Sequence, residues 1–499
     1  MGFFVLFLFL TRREGSCVIV CPTLQQDLVS FSSPLQMLLS PARPYVCSPM
    51  AKLWLLPLYH EKSTGKSRMA LAAAGVLLLL IFPYAAESRV LLSLDDFGAV
   101  GDGVANDTQA LLDAWTAACS TGEHVFLHVP AAKSYLIWPL TLAGPCREEI
   151  KLFISGNIVA PESPEDWPAG GGEWLHFRGV SDLALTGGGV IDGRGHRWWA
   201  RSCKSKHNAT ENCTSEAAPK ALHFENCQDV SVMGITVQNS QQSHLTFTRC
   251  SHVKANYLRI TSPEDSPDTI GVQIVSSRNV HIMDDLISTG HDCVSIVGNS
   301  TDVRLRAISC GPGHGISIGA LGENRSYHRV EKIKMDTLFI SNTENGVRVK
   351  TWQGGCGTAR KMKFGDILMK NVTNPIVIDQ HYSSSNEIPC SSKNGSAVAV
   401  GEISYMDIAG TSASERAVTF ACSDASPCSK LSMENVNITM AGGQNASAYC
   451  HQAFGKTVGV VVPDSCLAEE DFLRQRRVPA AAAAEEEGGE DDGDGEDDQ

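Results

Sequence analysis

The chain has 499 residues, 43% of them hydrophobic, with 44 Gly, 22 Pro and a formal net charge of −14. That apolar content excludes a disordered protein, and the length excludes a small disulfide-framework module. Residues 485–498 hold ten Asp/Glu and no base, while residues 1–68 hold seven Lys/Arg against three acids, leaving −8 for the body. No basic run of any length exists, which argues against a nucleic-acid partner.

In chain order, Lys62, Lys66 and Arg68 precede the apolar run Met69–Phe82, and Pro83, Tyr84, Ala85 and Ala86 come after it. This is the pattern of a secretory signal peptide over 69–86. Its 14 apolar residues fall short of the ~20 that span a membrane. Tyr84 fits poorly three residues before a cut after Ala86. Residues 1–68 lie upstream of an otherwise ordinary leader. Translation from Met50 or Met69 would remove the oddity, and a genuine extension opening MGFFVLFLFL is the alternative. The expected organisation is an extension (1–68), a signal peptide (69–86), one folded domain (87–467) and an acidic tail (468–499) with the composition of a disordered segment.

Cys17, Cys21 and Cys47 fall in the extension, leaving 14 of 17 cysteines for the exported chain, an even number as disulfide pairing requires. Cys203/Cys213, Cys422/Cys428 and Cys450/Cys466 are spaced to close short loops. No CxxC pair occurs, which argues against zinc, and no metal or cofactor is implied. Nine Asn-X-Ser/Thr triplets, from Asn106 to Asn445, agree with export and a glycosylated surface.

The segment Asp107–Ala118 (DTQALLDAWTAA) has apolar residues at helical spacing, with Asp107 and Thr108 as cap candidates. It reads as a short amphipathic helix covering the first coil of a stacked repeat. From about residue 180 a strand-period pattern recurs, beginning Val230/Val232/Ile235/Val237 and Val253/Ala255/Leu258/Ile260. Successive units start at Val280, Val303, Ile333, Met362, Ile403 and Leu431. None is long enough to bury an apolar face alone, so units must stack. Turn residues between them leave no room for crossover helices. The architecture that fits is all-β, a parallel β-helix. A propeller would need longer and more regular blades.

Stacking turns sequence spacing into proximity, ~4.8 Å per coil. Four polar clusters recur at about one coil: SPDTIG (Ser266–Gly271), TGHDC (Thr289–Cys293), CGPGHG (Cys310–Gly315) and VRVK (Val347–Lys350). Taken singly, Asp caps turns, His fills them and Arg or Lys solvates an edge. In register they place Asp268, Asp292, His291, His314, Arg348 and Lys350 on one face. Stacked carboxylates can do acid–base work on a glycosidic bond, and Arg with Lys can hold an anionic sugar.

These clusters resemble the polygalacturonase family of glycoside hydrolases, plant-type, whose signatures are N-T-D, G-D-D-C, C-G-x-G-H-G and R-x-K in this order. FGAVGDGVANDTQAL (Phe97–Leu111), GGGVIDGRGHRWW (Gly187–Trp199) and NPIVIDQHY (Asn374–Tyr382) add to the likeness, which covers about residues 90–467. The resemblance implies a right-handed parallel β-helix and hydrolysis of α-1,4-galacturonan in pectin with inversion, by a secreted, monomeric wall enzyme. Carried over by position, Asp292 matches the second Asp of G-D-D-C, His314 the family His, Arg348 and Lys350 the basic pair, and Tyr382 a substrate-contacting Tyr. The resemblance also implies a Cys293–Cys310 disulfide.

Two positions depart from the family. Ile270 stands at the Asp of N-T-D, with Asp268 at the Asn, and His291 stands at the proton donor. If residues 268 and 270 share a strand, Asp268 faces the same way as the lost carboxylate. A His291 raised in pKa by carboxylates could donate the proton instead. A catalytically inactive relative that binds pectin needs neither.

Overall fold

The computed structural model describes residues 89–469, apart from 168–171, 205–212, 215–216, 324–325 and 383–396. The expected extension and signal peptide, and nearly all of the acidic tail, lie outside the described residues.

Alternating apolar and polar residues form strands, and each finds its partner one coil further on. Val230 pairs with Val253, then Val280, Val303, Ile333, Met362, Ile403 and Leu431, every ladder parallel. The unequal steps of the sequence pattern are therefore the register of the sheet. The coils make a parallel β-helix. An 11-stranded sheet runs from Leu140–Ala143 to Ser447–His451, and a 20-stranded ladder forms the rest of the wall. Inward residues stack in columns. Phe177, Phe224 and Phe247 lie ring over ring at 5.0 Å, an offset of one coil that buries each aromatic face on the next.

Early coils enter the larger ladder as two short strands, such as Arg278–Met283 and Leu286–Ser288. From Thr301–Cys310 onward the two fuse into one. A left-handed residue still marks the bend in the fused strands, as at Thr337 and Asp366.

The helix forms over Thr108–Ser120 and buries Ala110, Leu111, Ala114, Trp115 and Ala118 in the core. Trp115 meets Phe177 edge-on at 5.8 Å. Asp107 does not cap it by its side chain: the carboxylate accepts from the Val100 and Gly101 amides instead, at 2.7 and 3.1 Å. At the other end the strand Ala453–Val462 is bridged by Ala468, and Cys450–Cys466 ties the same segment down.

Bonds join Cys119–Cys146, Cys203–Cys213, Cys293–Cys310, Cys422–Cys428 and Cys450–Cys466. The even count does not mean complete pairing, because Cys227 and Cys250 are buried free thiols. They occupy one phase of adjacent coils and donate to the Phe177 and Phe224 carbonyls, at 3.4 and 3.3 Å. The sequon residues Asn106, Asn299, Asn371, Asn437 and Asn445 are all exposed. Among the described residues no helix is long and apolar enough to cross a membrane.

Candidate active site

Strands Val272–Val275, Val294–Val297, Ile316–Leu321 and Asn345–Thr351 lie side by side in the 11-stranded sheet, with Val272, Val294, Ile316 and Val347 in register. The residues just before them therefore stack at one edge: Ile270, Asp292 and His314 share a phase. The turns there are tight. A Cβ on Gly290 would collide with the Ser266 carbonyl, and one on Gly315, at φ +81°, with that of Asn345. The His314 amide donates to the His291 carbonyl at 2.8 Å, which joins TGHDC to CGPGHG across the coil. The Cys293–Cys310 disulfide links the same two coils.

Asp292 is the centre of the constellation, with its side chain only 1% exposed. Ser317 donates to it at 3.0 Å. Arg348 and Lys350 each approach to 3.8 Å, and His291 Nδ1 to 3.7 Å. Arg348 and Lys350 are two apart on one strand, so both point outward to this carboxylate. The Lys350 ammonium also lies 5.1 Å from the ring centre of Tyr382, which is exposed. The rings of His291 and His314 are 4.5 Å apart, and His314 Nε2 reaches Glu344 at 3.5 Å.

Burial pushes the His291 imidazole below its ordinary value; Asp292 opposes this, while His314 and Lys350 reinforce it. Asp292 and Asp268 pull it upward but do not outweigh burial, so the net shift is down, contrary to the sequence expectation. Burial likewise lowers the Lys350 ammonium, against the pull of Asp292. His291, Asp292 and His314 bring ligand atoms within 4.8 Å of one another, a spacing a divalent cation could accept. Arg348 and Lys350 already supply positive charge to the same carboxylate, which disfavours a further cation there.

Asp268 is the second departure from expectation. It sits in a turn with φ +57°, not in a strand, so it does not share a face with Ile270. Both its oxygens are held by Lys204, at 3.0 and 2.8 Å. By phase Ile270, not Asp268, stands one coil from Asp292. Sequence reasoning missed Ser317, Glu344 and Lys204. Ser317 was within reach, since it pairs in register with Arg348. Glu344 and Lys204 lie in irregular segments without a motif.

The profile of glycosyl hydrolases family 28 matches residues 119–459. The chain belongs to that family. A probable polygalacturonase of Arabidopsis thaliana is 43% identical, covering 78% of this chain and 87% of its own. The polygalacturonase of Persea americana is also 43% identical, over 72% and 76%. Among solved structures, an endo-xylogalacturonan hydrolase from Aspergillus tubingensis superposes with TM-score 0.60 at 19% identity, covering 75% of this chain and all of that one. An exopolygalacturonase from Thermotoga maritima gives 0.57 at 19%, covering 72% and 90%. At that identity the structures speak to fold alone.

In this family 28 chain the Cys293–Cys310 bond closes a 17-residue separation between the two coils that hold Asp292 and His314. Loop closure of this size contributes about 3 kcal/mol in the chain-entropy model. Cys293→Ser with Cys310→Ser is expected to lower the denaturation midpoint accordingly, as urea titration followed by circular dichroism measures. An unchanged midpoint would show the bond to be dispensable.

Proposed function

We propose that the chain is a secreted, monomeric glycoside hydrolase that cleaves α-1,4-linked galacturonan of cell-wall pectin with inversion. The observation that carries this reading is the pair Arg348 and Lys350, flanking buried Asp292 at 3.8 Å each. An Arg fork and a Lys ammonium suit the carboxylate that every galacturonate unit bears. Asp292 suits activation of water, and Tyr382 offers an exposed ring face beside Lys350. Export is supported by the leader pattern, the disulfides and the exposed sequons.

Proton donation falls to His291. Its Nδ1 faces Asp292, so the proton leaves from Nε2. Because burial lowers this imidazole, its charged form exists only on the acid side of the ordinary His value of about 6.5. Hydrolysis through His291 must therefore fall as pH rises towards neutrality. Release of reducing ends from polygalacturonate across acidic to neutral pH tests this.

A second reading, a galacturonan-binding protein without hydrolysis, is favoured by Ile270 and His291 at two family Asp positions and by the capture of Asp268 by Lys204. Absence of reducing ends at every pH, with oligogalacturonide binding retained, would select it. Under either reading Arg348→Ala should weaken oligogalacturonide binding about ten- to a hundredfold, since a charge-assisted hydrogen bond contributes ~1.5–3 kcal/mol. Calorimetric titration measures it. Unchanged affinity in a folded variant would displace substrate from this cleft.

A further inference from the structure

The outer face of the larger ladder, away from the 11-stranded sheet that carries the cleft, holds a column of basic residues. Lys254, His281, Arg304, Lys334 and Lys363 occupy successive strands in direct register. Their sequence neighbours point inward and are buried, so the column faces solvent. Neighbouring strands lie ~4.8 Å apart, and like charges placed directly opposite in a sheet destabilise it. Lys332 and Lys361 flank the column with φ of +59° and +58°, a conformation in which Asn or Asp costs less than Lys. Local structure thus gives no reason for this run of basic residues.

The acids on the face compensate only in part. Asp336 is shared by Arg304, Arg306 and Lys334, at 3.4, 3.6 and 3.7 Å, and Glu402 pairs with Lys430 at 3.5 Å. Asp302 beside Arg304, Asp229 paired with His252 at 3.5 Å, and Glu434 in the phase of Asp336 add three more acids. Among the described residues no carboxylate pairs with Lys254, Lys332, Lys361 or Lys363. The face is a positive stripe on a body whose net charge is negative.

The chain itself contains a matching polyanion. Residues 485–498 carry ten acids and no base. The negative body repels them everywhere except where the sign reverses. The described chain ends at Glu469, just after Ala468 bridges the last strand of the same ladder. That strand places Lys456 in the cation column, since Ser404, Ser432 and Lys456 continue it in register. From Lys456 to Lys254 is seven strand steps, about 34 Å at ~4.8 Å each. The 16 residues from 469 to 485 can extend over about 50 Å. The segment is long enough to lie along the stripe.

We infer that the acidic segment 485–498 docks on the cationic column Lys254–Lys363 of its own chain. The contact is a row of carboxylates against a row of ammonium and guanidinium groups. It leaves the cleft open and masks the positive face from the soluble polyanions of the wall.

Zero-length carbodiimide cross-linking of the full chain, read by peptide mass spectrometry, tests this directly. At low salt residues 485–498 are expected to join Lys334, Lys361 and Lys363. The yield should fall at least about fivefold in 0.5 M salt, where the screening length drops well below the ~10 Å of 0.1 M. Lys334→Glu with Lys363→Glu should remove the remaining links to Lys332 and Lys361 and leave oligogalacturonide affinity unchanged. Links confined to Lys350 in the cleft, or none at low salt, would overturn the inference. So would links found only between isotopically mixed chains, which would make the occupant a second copy. Protection of the column lysines from acetylation by added polygalacturonate, without any tail links, would make it an external polyanion.

Discussion

If His291 is a weak proton donor in a decayed hydrolase, Ile270→Asp combined with His291→Asp is expected to raise galacturonan hydrolysis by about 10²–10⁴-fold, the typical contribution of a positioned general acid. Ile270 stands one coil from Asp292 at the same phase, so a carboxylate there meets Asp292 across the step between coils. His291 already directs its ring at Asp292, 3.7 Å away, and an Asp in its place brings a second carboxyl beside the first. Three carboxyl groups so close cannot all ionise, and the crowding holds one proton at a pH where an isolated Asp would lose it. That proton is the one the leaving oxygen needs. Arg348 and Lys350 limit the repulsion among the remaining charges. Reducing-end assays on wild type and double variant decide among four outcomes. A gain over an active wild type marks a weakened hydrolase, and activity in the variant alone marks a binding protein with an intact scaffold. If His291 is a working acid, the double change lowers or shifts activity. Binding by both without hydrolysis by either would remove this constellation as a catalytic site.

Asp292→Asn should separate turnover from binding. If wild type hydrolyses, the isosteric amide ends water activation and costs about 10²–10⁴ in rate, the size of a lost general base. Affinity for oligogalacturonide should hold or rise, because an anion facing a polyanionic ligand has gone while Arg348 and Lys350 stay. The fold should suffer. The Lys350 side chain is only 7% exposed, and removing one partner of a buried ion pair typically costs about 3–5 kcal/mol. A lower melting temperature that oligogalacturonide restores is the expected signature in differential scanning calorimetry. Unchanged melting would mean that Lys350 does not depend on this carboxylate.

Legibility in the sequence tracks periodicity. The inward columns repeat at every coil, so the steps from Val230 to Leu431 became the register without adjustment. Asp292, His314, Arg348 and Lys350 sit next to such columns and inherited the same accuracy. Asp268 was misplaced because a strand was expected where Pro263–Thr269 forms turns, and phase cannot be counted through turns. Lys204 reaches Asp268 from 64 residues away through an irregular segment, beyond any local signal. The direction of the His291 shift depends on burial against charges on three neighbouring coils, which only coordinates weigh. The fusion of short strands at Thr301–Cys310 also left no trace, since the bend keeps its left-handed residue on both sides of the change.

The tie at the last coil determines where such a stack fails. In a one-dimensional array each unit is held by two neighbours and each terminal unit by one, so fraying starts at the ends and spreads inward like a zipper. The strand Ala453–Val462 is the last of the ladder among the described residues, and the Ala468 bridge and the Cys450–Cys466 bond hold its outer side. Val458 and Val460 on that strand remain exposed, so a frayed end would offer apolar edge to other chains. The segment between Cys450 and Ala468 therefore governs the lifetime of the folded protein far more than its distance from the cleft would suggest.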